Sequence, residues 1–331
     1  MNKYGKKYAA ILLTLLLAMM MLAACGTANT GTQGKTEPSK TEPGKAEPAK
    51  QDGGASKGKV VIGGKDFTEQ QILSKMTSIY LKENGYPVEE ASNMGSTVVR
   101  NALENGQIDM YWEYTGTALV VYQKQPAETD PAKAYDKVKT KDKENKLAWL
   151  NKADFNNTYA ILMRGDQAKE LGIKSISDLA QYMQKNGDKL KFASNAEFYA
   201  REDGMKGVEK KYGFSFPAKN VVKMDSGLLY NALKDKQVDV SVGFATDGRI
   251  KGFDLVALQD DKMFFPAYNA APVVRQAALD KNPSLADLLN KLSDKLNTDT
   301  MIKLNYTVDV EHKDVAEVAR QWLVSAQLIK Q

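Results

Sequence analysis

The sequence predicts an α/β fold built as two similar lobes. Two observations carry this. Short β-branched runs alternate with segments whose apolar residues recur at helical spacing, the pattern of strands and helices layered around mainly parallel sheets. One helix-to-strand unit also occurs twice: NALENGQIDMYWEYTGT from Asn101 returns as NALKDKQVDVSVGFATD from Asn231, at an offset of 130 residues that sets Tyr114 opposite Phe244.

Taken in order, KVVIGGK (59–65) is a strand, and DFTEQQILSKMTSIYLKENG places Ile72, Leu73, Met76, Ile79 and Tyr80 on one helical face, stopped at Gly85. GSTVVRNALENG is a short helix, QIDMYWEY a strand, and TGTALVVYQ opens a further helix. YAILMR from Tyr159 is a strand, Ser177-Asp178 caps the helix SDLAQYMQKNG, and KLKFAS, VDVSVGF and YNAAPVVR (from Tyr268) are strands. From about Leu285 the chain reads as helices. In open parallel sheets ligands collect beyond the carboxyl ends of strands. Tyr114 and Phe244 both stand near such ends, as opposing walls of a cleft or as core rings of separate lobes.

Composition narrows the chemistry. The 331 residues are 43% hydrophobic, enough for a substantial core, and carry a formal charge of +5, much of it near the N-terminus. A nucleic-acid groove would need basic residues gathered on the folded part. One cysteine, Cys25, and one histidine, His312, exclude an internal disulfide and Cys/His zinc spacing. His312 lies in a polar lead-in to a helix, a solvated or capping position rather than a catalytic one.

Lys3, Lys6 and Lys7 precede the apolar run AAILLTLLLAMMMLAAC, an export signal over residues 1–24; no stop-transfer cluster follows it. Leu22-Ala23-Ala24-Cys25 resembles a bacterial lipobox, which implies lipidation of Cys25. Residues 25–57, with TEPSK, TEPGK and AEPAK, hold almost no large apolar side chain and read as a flexible tether. GGASKGKV imitates a phosphate loop, but Val60 replaces the required Ser/Thr and a strand follows rather than precedes it.

GKDFTEQ, SNMGSTVVRNALENGQIDMYWEYTGTA, NNTYAILMR, SNAEFYARED and VGFATDGRI together resemble the glycine betaine/carnitine/choline-binding lipoproteins of osmoprotectant ABC transporters, from about Val60 to near the C-terminus. The resemblance implies a type II periplasmic-binding-protein fold with a ligand cleft between lobes: lobe I from 58–160 plus 268–331, lobe II from 161–267. It implies a non-enzymatic protein without cofactor or metal, monomeric, anchored through a lipid to the outer face of the cytoplasmic membrane. Its partners would be a quaternary-ammonium solute and the permease subunits of the transporter. Motif by motif, Tyr114, Tyr159 and Tyr268 take positions in an aromatic cage, with Phe244 where relatives often carry Tyr; Tyr199 and Tyr230 are reserves. Lys65 and Arg201 match charged positions that relatives direct at the ligand, Thr117 would add a neutral hydroxyl for its carboxylate, and Gln70 is a nearby polar candidate. Arg201 could instead pair with Glu197 or Asp203, and Lys65 could be a solvated loop lysine. Tyr111 and Trp112 would support the strand from behind.

The ligand class has its own logic. A quaternary ammonium has no N–H to donate, so aromatic faces hold it through cation–π attraction, about 0.5–2 kcal/mol per contact. Another small solute such as an amino acid, or a carboxylate-dependent hydrolysis of glycosides, remain the competing readings.

Overall fold

The apolar runs become strands where the alternation places them. The computed structural model describes residues 57–331 apart from Asp188, so Cys25, the export signal and almost all of the tether lie outside the described residues. In chain order the strands are β1 (Val60–Lys65), β2 (Val88–Met94), β3 (Met110–Tyr114), β4 (Leu147–Trp149), β5 (Tyr159–Arg164), β6 (Phe192–Ser194), β7 (Val221–Lys223), β8 (Val240–Phe244), β9 (Leu255–Ala257) and β10 (Ala270–Arg275). They form two sheets of one design, ordered β2-β1-β3-β10-β4 and β7-β6-β8-β5-β9.

The duplication at an offset of 130 residues is therefore structural, with β3 and β8 at the centre of their sheets. Tyr114 pairs with Ala270, and Phe244 pairs with Tyr159. The sheets are mixed rather than mainly parallel: β10 runs antiparallel to β3 and β4, and β5 antiparallel to β8 and β9. The reason is the crossing of the chain. β1, β3, β6 and β8 run toward the space between the sheets, whereas β5 and β10 enter from it and run away. The two crossing segments themselves pair, through an antiparallel bridge between Asn156 and Asn269.

Five helices position the site: α1 (Thr68–Glu83), α2 (Ser96–Glu104), α3 (Leu229–Lys234), α4 (Thr298–Asp309) and α5 (Val315–Ser325). α1 buries Ile72, Leu73, Met76 and Tyr80 as its spacing predicts, and α4 and α5 pack on it. Gly85, with φ of 78°, ends it. α4 reaches across to the turn after β8, where Asn305 Nδ2 donates to the Thr246 carbonyl at 2.9 Å.

Two local expectations need correction. The helix Ile176–Asn186 is capped by Ser175, not Ser177: the Ser175 hydroxyl accepts from the Asp178 N–H while the Asp178 carboxylate accepts from the Ser175 N–H. The extended backbone that a capping residue needs lies one step before the apolar run. TGTALVVYQ does not run as one regular helix; Thr115–Thr117 form a helical turn and Ala118–Tyr122 a π-helical stretch. His312 is exposed, and the cap of α5 is Asp314.

Candidate functional site

A cleft of about 400 Å³ opens where the strands converge. Tyr114 comes from the end of β3, Phe244 from the end of β8, Tyr159 from the start of β5 and Tyr268 from the residue two before β10; all four line the cleft. A fifth ring that the sequence reading missed, Phe67, stands at the N-cap of α1. It makes no side-chain capping bond there. The five rings form a continuous wall. Centroid separations are 6.1 Å for Tyr114–Phe67, 5.0 Å for Phe67–Phe244, 5.3 Å for Phe244–Tyr159 and 5.6 Å for Tyr159–Tyr268. Each pair adds about 0.5–1.5 kcal/mol beyond its burial, so the wall holds its own shape.

The TGT turn explains one glycine. A Cβ on Gly116 would stand 2.7 Å from the Tyr268 ring, so only glycine lets that ring lie against the turn.

The tyrosine hydroxyls at both ends of the wall point to carboxylates. Tyr114 donates to Glu69 Oε1 at 2.7 Å and accepts from Gln70 Nε2 at 3.1 Å. Tyr268 donates to Asp203. Burial pushes the Tyr114, Tyr159 and Tyr268 hydroxyls above the usual phenol range, which keeps them protonated.

The polar residues divide into those that face the cleft and those that stand behind it. Thr117 lines the cleft, and its Oγ1 accepts from Arg201 Nη1 at 3.2 Å, leaving its own proton free to donate. Lys65 lines the cleft but is buried, paired with Glu113 at 2.6 Å and lying 5.2 Å from the Tyr114 ring centre; it is not a solvated loop lysine. Arg201 is not among the lining residues. Its guanidinium makes a two-pronged bond to Asp203, donates to Glu197 at 2.8 Å, and braces Thr117 and Tyr268. Gln70 is fully buried behind β3, donating to the Trp112 carbonyl and the Tyr114 hydroxyl.

Neither reserve aromatic lines the cleft. Tyr199 lies under Lys223 Nζ at 3.7 Å, and Tyr230 sits behind β8, its hydroxyl accepting from the Phe244 N–H at 2.9 Å. Tyr111 and Trp112, consecutive residues of β3, are buried on its two opposite faces: Tyr111 donates to Glu113 and Trp112 Nε1 to Thr77 of α1. Besides Phe67, the sequence reading missed Asn157 and three lining carboxylates, Asp66, Glu197 and Asp225. Burial raises the Asp66 carboxyl above its ordinary value, with Glu197 and Asp225 adding to the effect. Asn157 was legible in NNTYA, two residues before a cage tyrosine, but an asparagine in a loop carries no periodic signal.

No group of three or more metal-ligating acids, histidines or cysteines occurs among the described residues. What the arrangement can do is surround an apolar cation with ring faces and offer hydroxyl and amide donors to one side of it.

Comparison with known proteins agrees with this geometry. Residues 58–325 match the family described as the substrate binding domain of ABC-type glycine betaine transport systems. The chain is 42% identical over 273 residues to a glycine-betaine-binding protein of Pseudomonas aeruginosa, covering 81% of this chain and 88% of that one. It is 38% identical over 276 residues to the carnitine transport binding protein OpuCC of Listeria monocytogenes, covering 82% and 88%. Among solved structures, a glycine betaine/carnitine/choline ABC transporter protein superposes with a TM-score of 0.66 at 33% identity, covering 82% of this chain and 99% of that one. Apo YehZ from Escherichia coli superposes with a TM-score of 0.61 at 32% identity, covering 83% and 100%. Two like sheets flanking an aromatic cleft are thus the type II periplasmic-binding-protein architecture, and the chain belongs to the osmoprotectant-binding family of ABC import systems, whose members bind solutes rather than transform them.

Proposed function

We propose that this protein captures quaternary-ammonium osmoprotectants such as glycine betaine, carnitine and choline outside the cytoplasm and delivers them to the permease of an ABC importer. The observation that carries the reading is the wall of five rings along one cleft. Ring faces attract a trimethylammonium group that no hydrogen-bond acceptor could hold. Tyr114, Tyr159, Phe244 and Tyr268 form the cage, and Phe67 joins it. Thr117, with Lys65, receives the carboxylate of a betaine. Arg201 serves this site from behind, by fixing Thr117 and Tyr268, rather than by touching the ligand.

The lobes divide near 160 and 268, with β5 and β10 as the first strands after each crossing. A ligand touching both lobes favours their closed arrangement. Lipidation of Cys25 would hold the monomeric protein on the outer face of the cytoplasmic membrane, within reach of the permease.

Isothermal titration calorimetry and thermal shift with glycine betaine, carnitine, choline, proline betaine and a set of amino acids test this reading. Saturating osmoprotectant at a hundredfold excess over Kd should stabilise the protein by about 2.7 kcal/mol. Stabilisation by an amino acid without N-methyl groups, and by none of the quaternary compounds, would overturn it.

A further inference from the structure

Among the described residues, one buried carboxyl group has no cationic partner. Among the described residues, the buried carboxylates Glu113, Asp142, Asp203 and Asp247 are each paired with a cation: Lys65, Arg100, Arg201 and Arg249 respectively. Glu69, 2% exposed on the first turn of α1, forms no ion pair. It is held instead by four uncharged donors from four parts of the chain: the Tyr114 hydroxyl at 2.7 Å, Asn157 Nδ2 at 2.8 Å, the Thr246 hydroxyl at 2.5 Å and Asn305 Nδ2 at 3.3 Å. Gln70 donates to the Tyr114 hydroxyl, so the one proton of that hydroxyl is directed at Glu69. An acceptor-only carboxylate suits four donors; a neutral carboxyl would bring a fifth proton to a site already full of them.

Burial pushes the Glu69 carboxyl up and its four donors pull it back; a cation in the cleft would supply the opposite charge that the fold leaves out and favour the carboxylate. Two of its donors, Tyr114 and Asn157, line the cleft, so Glu69 stands directly behind the cleft wall. We propose that Glu69 is the counter-charge of the bound quaternary ammonium, acting through Tyr114 as a positioning residue. The inference rests on the functional reading above and adds to it the source of the negative potential behind the cage.

Glu69 acts in two ways. Its hydrogen bond turns the phenol so that one face looks into the cleft. It also polarises the phenol, because a ring whose hydroxyl donates to an anion is richer in electrons and attracts a cation more strongly. No proton is transferred. Lys65 lies near the same ring, but Glu113 neutralises it. Asp66, Glu197 and Asp225 also face the cleft from its lining, Glu197 being paired with Arg201. Asp203 receives the Tyr268 hydroxyl in the corresponding way, yet its charge is already matched by Arg201.

The test uses the full chain and three probes: tetramethylammonium, which has no other group to bind, choline, and glycine betaine. Calorimetry compares the parent with Glu69→Gln, Tyr114→Phe and the double variant. Each single change should weaken all three probes by one common factor, about tenfold. The double variant should be no weaker than the weaker single, because both changes remove the same contact. Ultraviolet resonance Raman difference spectra should show the loss of one strongly donating phenol in each single variant relative to the parent, while Tyr111 and Tyr268 keep donating to Glu113 and Asp203. Unchanged tetramethylammonium affinity in Glu69→Gln, additive losses in the double variant, or a loss confined to glycine betaine would each overturn the proposal. If circular dichroism shows that Glu69→Gln does not fold, Tyr114→Phe decides: full tetramethylammonium affinity overturns the proposal and a tenfold loss supports it. A parent that binds none of the three probes overturns the functional reading as well, whereas a parent that binds them with indifferent variants overturns only the role of Glu69.

Discussion

In the proposed binding mode, ring faces and hydrogen-bond donors at the cleft meet two different parts of one ligand. Tyr159 and Tyr268 meet edge to face at 5.6 Å, and in the proposed cage each contributes through its π face rather than through bulk. Tyr159→Leu and Tyr268→Leu should therefore weaken both glycine betaine and choline by about 3- to 30-fold in calorimetry, the range of one cation–π contact. Thr117→Val should act differently. It removes a hydroxyl that lines the cleft and is braced by Arg201. It should lower glycine betaine affinity by about tenfold or more, as a lost hydrogen bond to a charged group does, and leave choline, which has no carboxylate, nearly unchanged. Equal losses for both ligands would show that Thr117 does not meet the carboxylate. At this scale the sequence was readable wherever a residue belonged to a repeat or a long motif. Tyr114 and Phe244 stood out because each marks the other. Phe67 and Glu69 did not: one sits at a helix cap and the other in a first turn, where an acid reads as an ordinary partner of the helix dipole.

The strands that sequence reading found and those it missed divide by position. The runs at 59–65, QIDMYWEY, YAILMR, KLKFAS, VDVSVGF and YNAAPVVR contain β1, β3, β5, β6, β8 and β10, which are the central strands of the two sheets. The missed strands β2, β4, β7 and β9 are the four edges. Central strands are covered on both faces and need continuous apolar runs. Edge strands are short or polar, as VEEASNM in β2 shows, because an exposed apolar edge invites pairing with other chains. The same one-residue sensitivity governs caps. Ser175 satisfies the Asp178 N–H at the start of Ile176–Asn186. Ser175→Ala should lower unfolding free energy by about 1 kcal/mol in chemical denaturation, while Ser177→Ala, at a residue outside the cap, should cost less. The reverse order would show that the helix begins two residues later.

The two sheets are tied together beneath the cleft by groups that no local pattern announces. Asp309 at the end of α4 accepts from Thr68 Oγ1 at 2.7 Å on the first sheet's side and lies 3.3 Å from Arg249 on the second's. Burial pushes its carboxyl up to about 6; Arg249 opposes this, Asp247 adds to it, and His312 lowers it slightly. A raised folded-state value means that the folded protein holds the proton more tightly than the unfolded chain. That stabilisation is complete below about 3.9 and is lost as pH rises through about 6. Urea midpoints of the parent should thus fall between about pH 4 and 6.5, and Asp309→Asn should flatten that fall. Asp142, which burial pushes up but Arg100 pulls further down, has the opposite sign and acts only below the ordinary carboxylate range. A parent whose stability rises across that window would refute the assignment. By itself the sequence determined the α/β class, the duplicated unit, the central strands and the aromatic residues of the family motifs, because periodicity and repetition are written along the chain. Tertiary structure alone decided the antiparallel crossing strands, the retreat of Arg201 from the cleft, the entry of Phe67 into it and the isolation of Glu69. Each depends on which distant segments meet, and the ion pairs and hydrogen bonds that settle those meetings join residues with no relation in sequence.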